Sequence, residues 1–289
     1  MGVKEQTQAS AGPSAGVALE SPEIRVIVPT KRRIRPFDIF RELSVVRVVA
    51  SRDFKIKYKQ SLLGPIWLIF QPLALLAAFL VAFRGLGKVE AGTPYVVFAL
   101  GGLMVWSFFQ ASMTIGGASL ITNFQLVRFT PCPRLAFPTA ATIASLPALA
   151  VTGVGALVAA AATGTLSPRV VLLPIGFVWL FLLTISIVII CASVAVRFRD
   201  VVQVVPFILQ VGLFLAPVGY PLSSLSDTVR ALIDLNPLTG LMEAFRWALI
   251  SGYTPSFEPI GVSLAMTAGV AVIGWLIFSR LETTMADEI

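Results

Sequence analysis

Residues 170–196 read VVLLPIGFVWLFLLTISIVIICASVAV, a run without a charged side chain. Crossing the roughly 30 Å hydrocarbon core of a bilayer takes about 20 apolar residues in an α-helix, so this run is long enough to span it. Five similar stretches occur, and the shortest is the one that follows this run: 64–83, 95–119, 136–163, 201–217 and 259–279. The sequence therefore predicts an all-α integral membrane protein with six transmembrane helices.

The composition agrees with this fold class. Hydrophobic residues make up 56% of the 289-residue chain and charged residues only 13%, whereas soluble domains carry roughly 25% charged residues. A soluble protein needs a charged shell even around a large core. The alternative of a very apolar soluble domain is therefore disfavoured.

The basic residues are concentrated before the first span. Eleven of the 22 Lys and Arg residues lie within residues 25–59, which is typical of a cytoplasmic segment facing lipid headgroups. A net charge of +7 is therefore attributed to membrane topology, and no nucleic-acid partner is expected. Counted over alternate connecting segments, 17 basic residues fall on one side and 5 on the other. The chain is predicted to lie in the inner membrane with both termini cytoplasmic.

Three regions are predicted along the chain. Residues 1–30 are rich in Gly, Ala, Ser and Pro and lack the apolar core of a signal peptide, which predicts a disordered cytoplasmic tail. Residues 31–60 form a basic amphipathic segment, and residues 61–289 form the six-span domain.

Within the basic segment, apolar residues recur every three or four positions from Asp38 to Phe54. This spacing predicts an amphipathic helix lying in the membrane plane. Val45, Val48 and Val49 interrupt its polar face. A helix packed on the protein's own spans would give a similar pattern, so both interpretations stay open.

The long connection from Val218 to Glu258 has apolar residues between its prolines. Irregular backbone at membrane depth is tolerated only where it is buried in protein or lines a wet cavity. We therefore predict two short re-entrant or outer-leaflet helices at the external mouth, the second over Leu238–Ile250. The alternative is an amphipathic external loop resting on the bilayer.

The predicted spans contain no Asp, Glu, Lys or Arg, and the whole chain contains no histidine. Ion-coupled carriers usually keep ionisable groups within the membrane, and enzymes need acid–base groups, so both classes are disfavoured. No metal site is expected. The glutamines Gln71, Gln110 and Gln210 are interpreted as interhelical hydrogen-bond partners rather than substrate contacts.

The chain also lacks a phosphate-binding loop of the Gly-x-x-x-x-Gly-Lys-Ser/Thr type. No cofactor is therefore expected in this chain. If ATP drives transport, a separate polypeptide must bind ATP and Mg²⁺ and dock on the cytoplasmic loops. The segment Leu120–Leu135 is the best suited, because a short helix with apolar residues there would present a knob to a groove.

Three ordered motifs resemble the permeases of polysaccharide ABC exporters, which move O-antigen, teichoic acid or capsule. The first is RDFKIKYKQSLLGPIW at residues 52–67, followed by Gln71-Pro72. The second and third lie further along the chain: Arg199-Asp200 with APVGYP at 216–221, and Asn236-Pro237-Leu238 with Phe245-Arg246 and Gly252. The resemblance covers about residues 37–280. TPCPR at 130–134 departs from the family's more usual Phe-Pro-Arg, which leaves the end of that helix open.

The resemblance implies a homodimer of six-span subunits joined by two separate ATPase subunits. It also implies an interface helix at Asp38–Phe54, a coupling helix at Leu120–Leu135 and external gate helices at Leu222–Ile250. The substrate of the family is a polysaccharide linked to polyprenyl pyrophosphate, which passes between the subunits. A permease of the same architecture that expels drugs or small amphiphiles is the alternative.

The ratio of 6 Lys to 16 Arg is typical of GC-rich genomes such as those of actinobacteria. In that group the resembling exporter handles a lipid-linked galactan precursor. A membrane scaffold or glycan-processing enzyme is disfavoured, because the sequence offers no catalytic constellation.

Four sets of site residues are predicted. The ATPase-coupling set, carried by the resemblance, is Asn123, Phe124, Leu126, Val127, Arg128, Phe129 and Arg134. The external gate, also implied by the resemblance, is Pro221, Asn236, Pro237, Glu243 and Arg246.

The other two sets follow from the chemistry of the substrate. A pyrophosphate head needs cations near the inner leaflet, which predicts Arg52, Lys55, Lys57 and Lys59, although the bias of basic residues to the cytoplasmic side explains the same residues. Aromatic faces stack on sugar rings, although aromatics in a membrane protein also face lipid. The glycan-channel set is Trp67, Phe70, Phe79, Phe83, Phe207, Phe214 and Tyr220.

Overall fold

The computed structural model describes residues 43–59, 64–86, 94–129 and 133–281. These residues are mainly helical, and the strand pairing found among them is one isolated bridge between Leu166 and Ile250. The predicted tail, residues 1–30, and the start of the amphipathic segment lie outside the described residues.

Twelve α-helices occur in the described part of the chain. In chain order they are α1 Leu43–Lys59, α2 Trp67–Phe79, α3 Tyr95–Gly116, α4 Ser119–Thr122, α5 Phe124–Phe129, α6 Ala136–Ala144, α7 Leu146–Ala162, α8 Leu173–Arg197, α9 Val201–Leu215, α10 Asp227–Asp234, α11 Pro237–Leu249 and α12 Phe257–Leu281. Short 3₁₀ turns lie at Gly64–Ile66, Pro168–Leu172 and Leu222–Ser224, and α2 continues as a π-helical turn over Leu80–Leu86.

Five helical segments are long and apolar enough to cross a bilayer: Gly64–Phe83, Tyr95–Gly116, Ala136–Ala162, Pro168–Arg197 and Phe257–Arg280. The remaining predicted span, the fifth in chain order at 201–217, corresponds to α9, whose 15 residues would extend only about 22 Å. The all-helical membrane fold predicted from the sequence is confirmed, including the shortness of this helix.

The central element is α3. In its most apolar window 72% of the residues are buried, compared with 11% to 33% in the other four long spans. Lipid tails are as apolar as leucine, so helices in a membrane associate through close packing, which small residues allow. Gly116 is one example, because a Cβ there would overlap the side chain of Val188 on α8.

The third span is divided at Ser145, between α6 and α7. Pro147 stands in the first turn of α7, where its missing N–H and its ring interrupt the hydrogen bonding of a continuous helix. The predicted span at 136–163 is therefore two helices in series.

The two helices predicted between the last two spans are confirmed as α10 and α11. Most residues of α11 are buried, and it packs against α3, α8 and α12. This burial contradicts the alternative of a loop resting on the bilayer, at least for α11. α10 is amphipathic and largely exposed.

The amphipathic helix runs to Lys59, five residues beyond the predicted end at Phe54. Val46, Val49 and Ala50 of α1 are buried and pack in a cluster with Leu120 and residues of α6 and α8. Val49 was assigned to the polar face and lies instead in the contact with α6. One side of α1 thus packs on the protein itself, while Leu43, Val48 and Ile56 stay exposed.

Candidate functional site

A fully buried arginine, Arg246 of α11, holds the irregular segment after α9. Its Nη2 donates to the carbonyl oxygens of Pro217 at 2.6 Å and Val218 at 2.9 Å, and its Nε donates to that of Phe98 at 3.2 Å. The guanidinium carbon also lies 3.6 Å from the centroid of the Phe98 ring. The end of α9 is therefore joined to both α3 and α11 by one side chain.

Glu243 completes this charged cluster. Its Oε1 lies 3.6 Å from Nη1 of Arg246 and accepts a hydrogen bond from the Tyr253 hydroxyl at 2.8 Å. Its Oε2 accepts from the backbone N–H of Ser256 at 3.0 Å. Burial raises the pKa of Tyr253 above its usual value, which the nearby Arg246 charge partly opposes. The two hydrogen bonds from Tyr253 and Ser256 to Glu243 hold the connection between α11 and α12.

Asn236 explains the Asn-Pro-Leu motif. Its side-chain oxygen accepts from the backbone N–H of Leu238 at 3.0 Å, so it caps the N-terminus of α11. Its side-chain nitrogen donates to the carbonyl oxygen of Leu215, the last residue of α9, at 3.3 Å. Pro237 occupies the first turn, where a missing N–H costs little.

A tyrosine on α3 makes a similar link. The Tyr95 hydroxyl donates to the carbonyl oxygen of Gly219 at 2.7 Å, and lies 3.3 Å from that of Phe79. Together with Arg246 it anchors residues 217–219, part of the APVGYP motif. Of the predicted gate set, Pro221, Glu243 and Arg246 are buried, while Asn236 and Pro237 are half-buried. Asn236, Pro237, Glu243 and Arg246 lie together at α11 and bond to neighbouring elements. Pro221 precedes the 3₁₀ turn at Leu222–Ser224.

A second site lies where α1 meets α4 and α5. Nη2 of Arg52 donates a hydrogen bond to Oδ1 of Asn123 and lies 2.7 Å from Oδ1 of Asp53. The predicted coupling segment is two short helices, with Asn123 between them. One residue of the predicted pyrophosphate set therefore contacts one residue of the predicted coupling set.

The other coupling residues divide by exposure. Phe124 and Leu126 are exposed, Val127 is buried against α1 and Arg134 is half-buried. The side chains of Arg128 and Phe129 lie outside the described residues. Exposed apolar side chains on a short helix are typical of a docking knob.

The other residues of the pyrophosphate set lie on the same helix. Lys55 is exposed. The side chains of Lys57 and Lys59 lie outside the described residues.

The predicted channel aromatics divide into two groups. Phe79 is buried, and its ring centroid lies 5.8 Å from that of Phe83. The ring centroid of Phe83 lies 5.9 Å from that of Tyr220. These three are in contact within the protomer. The remaining four are exposed on α2 and α9: Trp67, Phe70, Phe207 and Phe214.

Glutamines accompany the exposed aromatics. Gln203 and Gln210 of α9 and Gln71 of α2 are exposed. Gln110 was also predicted to form a hydrogen bond between helices. Its side chain instead accepts a hydrogen bond from Trp106 of its own helix at 3.1 Å. Gln203 was not among the predicted polar residues. Its spacing of seven from Gln210 provided the signal, because such residues share one helical face.

On α9, Gln203, Phe207, Gln210 and Phe214 follow one another at intervals of four, three and four, which places them on one face. We call this face the α9 stripe. A shallow groove beside it is lined by Phe207, Gln210, Val211, Phe214 and Leu215. Stacking surfaces and hydrogen-bonding amides alternate along this helix.

Comparison with known proteins places these features in a family context. The model of the ABC-2 type transporter family matches residues 44–250. The chain is 27% identical over 256 residues to the O-antigen export system permease protein RfbA of Myxococcus xanthus, covering 87% of this chain and 96% of that protein. It is 26% identical over 249 residues to the protein of the same name from Klebsiella pneumoniae, covering 83% and 93%.

Proposed function

Because the chain belongs to the ABC-2 type transporter family, and so is a multi-pass membrane protein that acts with a partner ATPase, we propose that it exports a lipid-linked polysaccharide. The two RfbA proteins are named as O-antigen export permeases, and the similarity extends over more than nine-tenths of each. The cargo we propose is a glycan on polyprenyl pyrophosphate, of the O-antigen, teichoic-acid or galactan type.

The observation that carries this proposal is the α9 stripe. The side chains of Gln203 and Gln210 are exposed and make no hydrogen bond to any of the described residues. An amide facing hydrocarbon without a partner is costly, so this face needs water, a ligand or another protein chain beside it. Sugars satisfy both kinds of side chain, since their hydroxyls bond to amides and their apolar ring faces stack on phenylalanine.

A channel of this kind needs a second wall. Trp67 and Phe70 on α2 are exposed and lie 5.3 Å apart in an edge-to-face arrangement, close to the exposed Gln71. A homodimer would supply a second copy of α2 and α9, and two partner ATPases would act on it. The proposed arrangement places both termini and the α4–α5 region on the cytoplasmic side of the inner membrane, and α10 with α11 at the external mouth.

The glycan's pyrophosphate head requires cations where it enters. Lys55 is exposed and Lys57 and Lys59 follow it on α1, so we assign the head-binding role to these lysines. Arg52 already bonds to Asp53 and Asn123. It is therefore less available to a headgroup than the exposed Lys55.

Depletion of the protein in its host tests the proposal. We expect the lipid-linked glycan to accumulate on the cytoplasmic side of the membrane while its appearance at the cell surface stops. Unchanged glycan at the surface, together with increased sensitivity to small amphiphiles, would instead indicate a drug exporter of the same architecture.

A further inference from the structure

We infer that Arg52 is a positioning residue that clamps the α4–α5 turn to α1, so that a displacement of either element moves the other. This inference rests on the proposed function, because it assigns the route by which the partner ATPase moves the channel subunit. It replaces the role in pyrophosphate binding that the sequence suggested for this residue.

The hydrogen bonds of Asn123 connect the two short helices to each other and to Arg52. The side-chain nitrogen of Asn123 donates to the carbonyl oxygen of Ser119 at 2.7 Å, which leaves the side-chain oxygen directed towards Arg52. The backbone carbonyl of Asn123 accepts from the N–H of Val127 at 3.0 Å. Asn123 therefore belongs to both short helices, and Arg52 binds the joint between them.

The charge of Arg52 is balanced by the neighbouring Asp53. Nε and Nη2 of Arg52 lie 3.1 Å and 2.7 Å from Oδ1 of Asp53, and the Asp53 side chain is largely buried. The carboxylate neutralises the guanidinium and fixes its orientation. A guanidinium held in this way presents a hydrogen bond to Asn123 at the cost of little further side-chain entropy.

An apolar cluster also joins α1 to the α4–α5 region. Val46, Val49 and Ala50 of α1 share a buried cluster with Leu120 of α4, Val127 of α5 and Phe137 of α6. Packing alone would hold these helices together but would allow them to slide. A charged hydrogen bond at the edge of the cluster fixes one register between α1 and the α4–α5 turn.

The consequence concerns the exposed knob. Phe124 directly follows Asn123 and is exposed, as is Leu126. A partner that pushes on these side chains would move the α4–α5 turn, and through Arg52 it would move α1 as well. Without the clamp, part of that displacement would be lost at the turn.

The test uses the complete complex of the chain with its ATPase, carrying Arg52→Ala, Asn123→Ala, both together, or Asn123→Asp. Glycan export per ATP hydrolysed should fall roughly tenfold in either alanine variant, as expected for loss of a charged hydrogen bond. The double variant should be no worse than the single ones. Asn123→Asp keeps the acceptor for Arg52 but loses the donor to the Ser119 carbonyl, so its export should fall less than that of Asn123→Ala. Arg47→Ala, an exposed arginine on the same helix, is the matched control.

A second measurement needs no glycan and so separates failure of the clamp from failure of the proposed function. Hydrogen exchange of the amides in Ser119–Val127 should become roughly tenfold faster in Arg52→Ala and stay unchanged in Arg47→Ala. Unchanged exchange in Arg52→Ala would overturn the inference. So would weaker binding of vesicles containing polyprenyl pyrophosphate with unchanged exchange, because that result returns Arg52 to the headgroup. A wild-type complex that exports no glycan, but whose exchange responds as expected, would overturn the function and leave the clamp standing.

Discussion

Single residues carry much of the connection between the helices, and Arg246 is the main example. A buried guanidinium is stable only when its donors are paired, because desolvation of a charge is costly. Here two carbonyl oxygens just after α9 and one on α3 accept hydrogen bonds from Nη2 and Nε. Nη1 makes no hydrogen bond to the described residues and lies 3.6 Å from the carboxylate of Glu243, which balances the charge. The arginine therefore acts as a structural joint for the segment that leads away from the α9 stripe.

Arg246→Ala should lower the free energy of unfolding by about 3 kcal/mol, because it leaves buried carbonyls and Glu243 without their partner. The midpoint of thermal unfolding in detergent measures the effect. Arg230→Ala is the control. Arg230 forms a part-exposed ion pair with Asp234 at 3.5 Å and donates to the Ser256 hydroxyl at 3.1 Å, and the loss of these contacts should cost about 1 kcal/mol. Equal effects of the two substitutions would contradict the role of Arg246.

The space beside Arg246 depends on a glycine. A Cβ on Gly102 would lie 2.6 Å from the carbonyl oxygen of Val218 and 2.9 Å from Nη2 of Arg246. Gly102→Ala should therefore destabilise the protein by roughly 1–3 kcal/mol. Gly155→Ala on α7 meets nothing within 4 Å and should be neutral or stabilise by up to about 1 kcal/mol through helix propensity. The midpoint of thermal unfolding measures both stability changes. A neutral Gly102→Ala would contradict the close approach of Gly102 to Val218 and Arg246.

The sequence motifs indicate Arg246 and Asn236 but not the hydrogen bonds that these residues form. A motif indicates which residues matter, whereas the carbonyl partners of Arg246 lie 28 to 148 positions away in the chain. Arg52 shows the same limit, because its partner Asn123 lies 71 positions away. Local spacing contains no information on such pairings. The cap at Asn236 is different, since Asn before Pro at a helix start is a local signal.

At the scale of elements, α1 shows how an amphipathic pattern can serve two surfaces. Its buried side faces α6 and its exposed side carries Leu43, Val48 and Ile56 with the basic residues. The sequence pattern predicted the helix and placed Val46 on its apolar face, which is confirmed, but it wrongly assigned Val49 to the polar face, because both surfaces carry apolar residues. Val49 and Val48 are adjacent and have opposite environments.

Val49→Ala should loosen α1, because it removes buried methyl groups from the contact with α6, at a cost on the order of 1–2 kcal/mol. Hydrogen exchange of α1 amides should become several-fold faster. Val48→Ala, at a position that is 67% exposed, should leave the exchange unchanged. The reverse order would mean that α1 packs through its other side.

The α9 stripe is also an element-scale feature, and it predicts a transport phenotype. Gln210→Leu keeps the size and helix propensity of the side chain but removes the amide. Export of glycan should fall roughly threefold to tenfold, as expected for one hydrogen bond in a membrane protein. The yield of the complex and its ATP hydrolysis should stay at wild-type levels.

Val272→Leu, at an exposed position of α12, is the control and should transport normally. An effect of Gln210→Leu on assembly alone, with normal export by the assembled complex, would place Gln210 in a subunit contact instead.

At the scale of the whole molecule, the hydropathy pattern was enough to predict the six helical segments, since lipid as a solvent requires each span to be apolar and long. It did not identify α3 as the central helix, because hydropathy does not report whether a span faces lipid or protein; α3 has a mean hydropathy of 1.6, compared with 2.0 to 2.7 in the other four long spans. The buried glycines on α3 distinguish it only when its neighbours are known. The interior is therefore set by close approach and by polar joints rather than by hydrophobicity.

Away from their ends, the five long spans contain no Asp, Glu, Lys, Arg or His. The family relationship supplies the other half of this account, because an ABC-2 type transporter takes its energy from a partner ATPase. The proposed Arg52 clamp is then the point through which motion at α4–α5 would reach α1.

Reconstitution in vesicles tests this account most directly. The chain and its partner ATPase are inserted together, lipid-linked polysaccharide is supplied on the side that binds ATP, and glycan is measured on the opposite side. We expect glycan to cross only when the chain, the ATPase and hydrolysable ATP are all present. Glycan crossing with this chain alone, or no crossing by a complex that hydrolyses ATP and expels small amphiphiles, would contradict it.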